Sequence, residues 1–220
     1  MRSGIPFGIS LIDNSIENGL VEGKLCMIYG GPGVGKTTFA YITSINVINN
    51  FNLPIVFIDN DHSFSPQRIF QLTNGNEKIL EKFIVLKPNS VSEFEEILDS
   101  INSFETKLIV IDSIASLYRL EMYDKPLKEV IGKILRNLKK IRDFLEKKSG
   151  FGIIINQIYG EHKDESYGYE QLQYFCHILI EIKKEDIIRK LILHKHPFSK
   201  EFEKEFIITA EGFVEKVNEE

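Results

Sequence analysis

The stretch Leu25–Thr38, LCMIYGGPGVGKTT, decides the fold of this chain. Its apolar start predicts a buried strand, its glycine-rich centre predicts a tight loop, and a helical pattern begins after the last glycine. Such a loop turns backbone N–H groups and the positive end of a helix dipole toward an anion. The stretch therefore predicts a phosphate-binding loop of the pattern G-x-x-x-x-G-K-[ST], formed by Gly30, Gly31, Pro32, Gly33, Val34, Gly35, Lys36 and Thr37.

The residues that follow the last glycine of this loop have distinct predicted roles. Lys36 is expected to reach the β- and γ-phosphates of a nucleoside triphosphate, and the Thr37 hydroxyl is expected to hold Mg²⁺. Thr38 joins them as a predicted nucleotide contact. The apolar run before Asp112 places this carboxylate at the end of another strand, where it would hold the same metal ion. The alternative for Asp112 is that it caps the helix that follows.

Two more strand ends carry polar side chains that suit phosphate cleavage. Asp59 and Asp61 follow one apolar run, and a carboxylate there could orient the attacking water. The alternative is that they cap a helix or solvate the loop. Gln157 follows another apolar run, and its amide could bond a γ-phosphate and move when that phosphate leaves. The alternative for Gln157 is an amide that only caps the sheet.

Apolar runs and helical patterns alternate along most of the chain, which predicts an α/β fold in three layers with a mostly parallel sheet. Helices are predicted from the loop to about 49, over 66–72, from a Ser90–Glu93 capping box to about 102, and over 127–148. Parallel strands are predicted over 25–29, 55–59, 83–86, 108–111 and 151–155. The runs 178–182, 187–194 and 206–209, with Lys183–Asp186 as the first turn, predict antiparallel strands that extend one sheet edge at the C-terminal end. We expect a single domain over residues 1–220.

The composition limits the classes of partner. The net charge is -5, so nothing global indicates a nucleic acid or a membrane surface as partner. The chain has no apolar run of about 18 residues, the length that a membrane-spanning helix needs. Cys26 and Cys176 lie far apart, in predicted strands, and match no zinc or redox spacing. These observations predict a soluble, cytoplasmic protein.

Charged and aromatic residues outside the loop leave several alternatives open. The helix over 127–148 carries eight basic and three acidic residues, and its face is either solvated or a surface for a partner or nucleic acid. Tyr118 and Tyr123 could stack on bases, although Tyr118 suits the core equally well. His194 and His196 point to one face of a strand. No cysteine or carboxylate completes a metal-binding set with them, so we assign them no metal.

Together these motifs resemble the RecA/RadA recombinase superfamily, and most closely its archaeal RadB group of short RadA paralogues. The resemblance runs through nearly the whole chain and implies a three-layer, RecA-like P-loop ATPase core. Besides the loop, it rests on GIPFGISLID (4–13), FIDNDHSFSPQR (57–68), IVIDSIASLYRLE (109–121), IIINQIYG (153–160) and LILHKHPFS (191–199).

The resemblance also implies roles for individual residues. Position 61 corresponds to the water-activating carboxylate, Arg68 and Gln71 correspond to side chains that pack against adenine, and Gln157 corresponds to the sensor of the γ-phosphate. Lys195 falls where the family presents a basic residue to the ATP of a neighbouring subunit. The implied protein is an accessory factor of homologous recombination and DNA repair. It would bind ATP and Mg²⁺, modulate the main RadA-like recombinase and bind single-stranded DNA weakly.

Several positions depart from the family pattern. Asp61 replaces a glutamate that is one methylene longer, and a misplacement of about 1 Å can lower a rate by about 100-fold. We therefore expect slow ATP hydrolysis. The segment around 161–170 is acidic, which disfavours strong DNA binding. We also expect no N-terminal DNA-binding domain and no F-x-x-A assembly motif. A KaiC-like regulatory ATPase, a nucleotide-gated subunit without turnover and a homo-oligomer remain open alternatives.

Overall fold

A computed structural model describes residues 4–119, 121, 125–158 and 169–216. Its strands are β1 (Gly4–Ile5), β2 (Leu20–Val21), β3 (Leu25–Gly30), β4 (Ile55–Asp59), β5 (Phe83–Leu86), β6 (Leu108–Asp112), β7 (Phe151–Gln157), β8 (Ile178–Glu185), β9 (Ile188–Lys195), β10 (Phe202–Ile208) and β11 (Phe213–Glu215). Its helices are α1 (Ser10–Asp13), α2 (Lys36–Phe51), α3 (Pro66–Leu72), α4 (Glu77–Leu80), α5 (Val91–Asp99), α6 (Ile114–Arg119), α7 (Leu127–Lys148) and α8 (Tyr169–Phe175), with a 3-10 turn at Ile101–Ser103.

Nine of the strands form one sheet in the order β11-β10-β9-β8-β3-β7-β6-β4-β5. The six strands from β8 to β5 in this order are parallel to one another. The strands β9, β10 and β11 continue the sheet beyond β8 in antiparallel fashion. The predicted fold class, a mostly parallel α/β sheet with antiparallel strands at the C-terminal end, is confirmed.

The sheet is covered on both faces, which confirms the three layers. Every residue of β3, β4 and β6 is buried, because helices pack against both sides of these strands. One apolar cluster joins the sheet to α2 through side chains such as Phe39 and Val47. The other joins it to α5, α6, α7 and α8 through side chains such as Phe94 and Leu138. Residues that alternate along β7, such as Ile153 and Ile154, belong to opposite clusters.

Helix α7 has the bounds that its helical spacing predicts. It spans 22 residues and buries the stripe Val130, Ile134, Leu138, Ile141 and Leu145 against the sheet. Its last turn carries Lys147 and Lys148, where positive charge interacts favourably with the negative end of the helix dipole.

The lateral strands of the sheet, β8 to β11, have polar ends that were predicted incorrectly. The turn predicted at Lys183–Asp186 is part of β8 through Glu185, and the chain reverses at 186 and 187, with Asp186 at a φ of 59°. Strand β10 begins at Phe202, earlier than its apolar end suggests, and β11 was missed. These strands lie toward an edge of the sheet where side chains face water, so they lack the continuous apolar pattern of buried strands.

Two smaller predictions also need correction. Ser90 caps α5 by accepting from the Glu93 amide at 3.1 Å, but the Glu93 carboxylate accepts from the Asn89 amide instead of completing the capping box. Cys176 lies between α8 and β8, not in a strand, and it is buried and free, like Cys26. Within the described residues, no helix has the length and apolar content required to cross a membrane.

Candidate nucleotide-binding site

The carboxyl ends of the central strands bring the predicted phosphate site together. The loop 30–37 leaves β3, Asp112 ends β6, and Asp59 at the end of β4 lies opposite Asp112 in the strand ladder. Gln157 ends β7 opposite Gly30. Because these strands are parallel, their carboxyl ends meet at one edge of the sheet, which is where ligands bind in open α/β folds.

The loop has the backbone that an anion cradle needs. Gly30, Gly33 and Gly35 all have positive φ, a conformation that side chains other than glycine rarely adopt. A Cβ at Gly30 would lie 2.1 Å from the Ile182 carbonyl oxygen, so β8 touches the loop at this point. A Cβ at Gly33 would have nothing within 4 Å, so the centre of the loop is open. This open cradle of backbone amides fits a triphosphate.

Lys36 lies inside the loop. Its ammonium donates to the carbonyl oxygens of Gly30 at 3.0 Å and Gly31 at 2.6 Å. Burial lowers the pKa of the Lys36 ammonium to about 8, although the charges of Asp112 and Asp61 act in the opposite direction. The side chain is therefore positioned over the loop as a cation, in the place predicted for a phosphate contact.

Thr37 and Asp112 form the predicted metal-holding pair. The Thr37 hydroxyl donates to a carboxylate oxygen of Asp112 at 2.7 Å. Burial raises the pKa of the Asp112 carboxyl to about 6; the bond from Thr37 and the charge of Lys36 lower it, and the charges of Asp61 and Asp59 raise it further. A hydroxyl beside a desolvated carboxylate is an oxygen-donor set that suits Mg²⁺, and a bound cation would favour the ionised form of Asp112.

Asp59 and Asp61 have different environments. Asp59 is fully buried, and its two carboxylate oxygens accept from the backbone amides of Ser63 at 2.9 Å and Phe64 at 3.0 Å. Its carboxylate therefore orders the loop that follows β4. The Asp61 side chain is exposed, and its amide donates to the Asp112 carbonyl at 3.3 Å. Of the two carboxylates, Asp61 is the one available to a ligand at the phosphate loop.

The end of β7 places Gln157 against the base of the loop. The amide of Ile158, the next residue, donates to the Gly30 carbonyl at 3.2 Å. Asn156, one position earlier, is fully buried, and neither polar atom of its amide group has a hydrogen-bond partner within the described residues. Gln157 is therefore near the loop, as predicted, whereas its action as a phosphate sensor stays a prediction.

Arg68 and Gln71, the predicted adenine contacts, lie on α3. The Arg68 guanidinium donates to the carbonyl oxygens of Thr209 at 2.7 Å and Ala210 at 2.9 Å and to the Gln71 side chain at 3.1 Å. These bonds tie α3 to the turn between β10 and β11. They fix the plane of the guanidinium group, and a fixed planar cation is a suitable surface for stacking a base.

The β10–β11 hairpin also forms a wall that sequence reasoning missed. The Ile208 side chain would lie 2.4 Å from a Cβ at Gly35, so it packs directly against the phosphate loop. A cavity of about 250 Å³ lies between Ile208 and the loop and is lined by Gly33, Gly35, Lys36, Thr37 and Thr38. No local signal marks Ile208, because its contact is with a segment more than 170 positions away in the sequence.

Lys195 does not belong to this cluster of residues. It lies opposite Leu179, toward the amino-terminal end of β8 and away from the phosphate loop. Its ammonium donates to the carbonyl oxygens of Cys176 at 2.8 Å and Gln173 at 3.4 Å. A contact between Lys195 and the nucleotide of a second subunit stays a prediction.

The remaining candidates have mixed outcomes. Tyr118 is fully buried and its hydroxyl oxygen accepts from Asn137 at 2.6 Å, so base stacking by Tyr118 is wrong. Tyr123 and the acidic segment 161–168 lie outside the described residues. Among the basic residues of α7, Lys133 pairs with Glu121 and Lys140 pairs with Asp99. The choice between a solvated face and a partner surface on α7 stays open.

Comparisons with known proteins agree with this geometry. The family described as RecA N-terminal domain matches residues 3–195. The DNA repair and recombination protein RadB of Methanococcus maripaludis strain C7 is 38% identical over 199 residues, which cover 84% of this chain and 89% of that protein. The RadB protein of Methanocaldococcus jannaschii is 33% identical over 198 residues, which cover 87% of this chain and 92% of that protein. The crystal structure of the RadB recombinase is similar with a TM-score of 0.79 and 26% identity, over 99% of this chain and 100% of that one.

Proposed function

This chain belongs to the RecA N-terminal domain family, and on that premise we propose that it binds ATP with Mg²⁺ at loop 30–37 and serves as an accessory protein of homologous recombination and DNA repair. The observation that carries the proposal is the Thr37–Asp112 bond of 2.7 Å beside an open glycine cradle. It brings together, from two distant segments, the hydroxyl and the carboxylate that a nucleotide-bound magnesium ion requires.

The binding roles follow from the position of each group. The backbone amides of the loop and the start of α2 would bind the phosphates, since they carry partial positive charge and are directed into the cradle. The Lys36 ammonium would leave the Gly30 and Gly31 carbonyl oxygens for the phosphates. Thr37 and Asp112 would hold Mg²⁺, whose charge stabilises the negative charge on the transferred phosphoryl group. Arg68 and Gln71 would contact the base.

We further propose that hydrolysis of ATP at this site is slow. Asp61 is the carboxylate available to orient the attacking water and to accept its proton. It is exposed and one methylene shorter than glutamate, so its reach toward a γ-phosphate is limited. Gln157 lies opposite Gly30 and would respond to the presence of that phosphate.

The role in recombination is supported by the relatives. Proteins named DNA repair and recombination protein RadB match this chain over most of both lengths. A core of this kind, with a short water-orienting residue, suits a factor that modulates a main RadA-like recombinase. We expect only weak, salt-sensitive contact with single-stranded DNA, because the chain as a whole carries a net charge of -5.

A second function is favoured by the environment of Asp61 alone. An exposed, short carboxylate is a poor water-orienting group, so the chain could bind ATP and change its affinity for a partner without turnover. The substitution Asp61→Glu distinguishes the two functions. A rise in kcat of about tenfold or more supports an ATPase limited by the reach of residue 61. No phosphate release from either protein supports a nucleotide-gated subunit.

The test of the proposal is binding of MgATP by calorimetry together with phosphate release, with and without single-stranded DNA. Lys36→Ala should weaken binding by about 100-fold or more, since it removes the ammonium that is aimed into the cradle. Lys78→Ala, which removes an exposed lysine on α4, is the matched control and should bind like the native chain. Equal affinities for all three proteins, or no affinity in the native chain, would contradict the proposal.

A further inference from the structure

A buried acid, Glu181, and a partly exposed histidine, His194, form a pair beside the phosphate loop that has no role in the site described above. Glu181 on β8 is 5% exposed, although a carboxylate is costly to bury without partners. It lines a cleft of about 610 Å³, and Gly30, Gly31 and Pro32 form the facing part of the lining. His194 on β9 bonds to Glu181, with its Nε2 atom 2.6 Å from a carboxylate oxygen. Because a carboxylate has no proton to donate, the imidazole N–H is the donor.

His194 lies at a bulge in the β8–β9 ladder. In the β8–β9 ladder Leu179 is opposite Lys195 and Ile180 is opposite Leu193, so His194 is the extra residue of β9. A bulge of this kind redirects a side chain and interrupts the regular ladder, and bulges are frequent next to functional sites. The interruption therefore coincides with the residue that satisfies the buried acid.

The pair contacts the last residues of β3, where the phosphate loop begins. The Tyr29 ring stacks on the His194 ring with 6.0 Å between centroids and 21° between planes. Tyr29 lies opposite Glu181 in the parallel β3–β8 ladder and is followed by Gly30. The next residue of β8, Ile182, brings its carbonyl oxygen against the α-carbon of Gly30. The middle of β8 and the His194 ring thus contact Tyr29 and Gly30 from two sides.

We propose that Glu181 and His194 are positioning residues for the phosphate loop. Their hydrogen bond holds the middle of β8 and the ring of Tyr29 in the arrangement that sets the backbone of Gly30 and Gly31. They act through β3 and do not contact the nucleotide. The inference rests on the proposed function for one of its readouts, the affinity for phosphates.

The experiment distinguishes a positioning role of the pair from an effect on protein stability alone. His194→Leu removes the donor and should weaken MgATP binding by about tenfold. His194→Gln carries an N–H donor at a similar distance from the backbone and should restore affinity to within about twofold. The double variant with Glu181→Leu and His194→Leu replaces the pair by apolar side chains. This change commonly leaves stability unchanged or raised, because it also removes the buried charge. We expect a native melting temperature together with the weakened affinity.

A second ligand without a base shows which part of the site is affected by these substitutions. Magnesium tripolyphosphate has no base, so a displaced phosphate loop should weaken its binding as much as that of MgATP. The matched control is Lys190→Gln with Glu203→Gln, which breaks a more exposed ion pair of 3.4 Å between β9 and β10. This control should bind both ligands like the native chain. Native affinity in the double apolar variant, or equal losses in that variant and in the control, would overturn the inference.

A measurement without nucleotide keeps this inference separate from the proposed function. In the ligand-free protein, His194→Leu should shift the backbone amide resonances of Gly30 and Gly31, and His194→Gln should shift them much less. If the native chain binds no ATP but these shifts are seen, the proposed function fails and the positioning role stands. If ATP binds normally and the resonances do not move, the positioning role is wrong.

Discussion

The central strands and the lateral strands of the sheet contribute to the site in different ways. The central strands β3, β6 and β7 end in the groups expected to touch the ligand, namely the loop at Gly30, Asp112 and Gln157. The lateral strands β8 to β11 and their turns supply contacts that position residues of the predicted site. The Ile182 carbonyl lies against Gly30, and carbonyl oxygens of the β10–β11 turn bind Arg68. The comparison indicates that chemistry and positioning come from different parts of the chain.

The sharpest test of this division is the contact between Gly30 and β8. Gly30→Ala would place a methyl group 2.1 Å from the Ile182 carbonyl oxygen, and neither backbone can yield easily. We expect a loss of unfolding free energy of about 3–5 kcal/mol, at the upper end of what single substitutions cause. Gly33→Ala, where a Cβ meets nothing within 4 Å, is the matched control and should lose only about 1–2 kcal/mol from its positive φ. Urea denaturation measures both, and equal losses would show that β8 does not constrain the loop.

Substitution of Asp112, at the end of the central strand β6, should affect stability and ATP binding in opposite directions. Burial raises the pKa of its carboxyl from 3.8 to about 6, so the ionised form destabilises the folded chain at neutral pH. Asp112→Asn should therefore raise the unfolding free energy of the nucleotide-free chain by about 2–3 kcal/mol, at about 1.4 kcal/mol for each pKa unit. The same change should weaken Mg²⁺-dependent ATP binding by about 100-fold, since it removes the carboxylate proposed to hold the metal ion. Thermal unfolding and calorimetry provide the two measurements, and a destabilised variant would show that Asp112 is mainly structural.

The affinity for MgATP should be highest between about pH 6 and pH 8. The raised pKa of Asp112, about 6, means that the carboxyl gains a proton and loses metal affinity as the pH falls below that value. The lowered pKa of Lys36, about 8, means that the ammonium loses its proton as the pH rises above that value. Each side should approach a tenfold loss per pH unit. Calorimetry across pH 5 to 9 is the check, and a flat profile would show that neither group contacts the ligand.

The smallest effect is expected at Arg68, which the β10–β11 turn holds and which we propose contacts the base. Arg68→Lys keeps the positive charge but loses the planar fork that donates to Thr209 and Ala210. We expect about fivefold weaker ATP binding, about 1 kcal/mol, with unchanged binding of magnesium tripolyphosphate. An equal loss for both ligands would show that Arg68 acts on the phosphate loop and would remove this distinction between base and phosphate contacts.

The features that the sequence predicts, and those that it does not, divide in the same way between the central and the lateral strands. The order of the central strands along the chain, helix α7 and the meeting of Thr37 with Asp112 are predictable, because each depends on a local apolar period or on a strand end with a known chemical role. The Lys183–Asp186 turn was misplaced and β11 was missed, because polar residues at a sheet edge have no distinctive period. Tyr118 shows the same limit, since a tyrosine next to charged residues suits the core or the surface equally well.

Glu181 shows what a single acidic residue in an apolar run can and cannot predict. A single acid in the apolar run 178–182 indicates a buried charge that needs a partner. One partner, His194, is 13 positions away, at the irregularity in the β8–β9 ladder where it is the extra residue of β9. No pattern in the sequence places that bulge.

The amino-acid sequence by itself determined the loop 30–37, the residues expected to hold phosphate and magnesium, and the three-layer α/β class. Each of these depends only on adjacent residues or on the hydrophobic period of a single helix or strand. Only the tertiary structure decided that Asp59 orders a loop while Asp61 stays available, that the β10–β11 turn fixes Arg68, and that Glu181 is buried against His194. These outcomes depend on which distant segments pack together, and packing is set by the register and twist of the whole sheet rather than by any one segment.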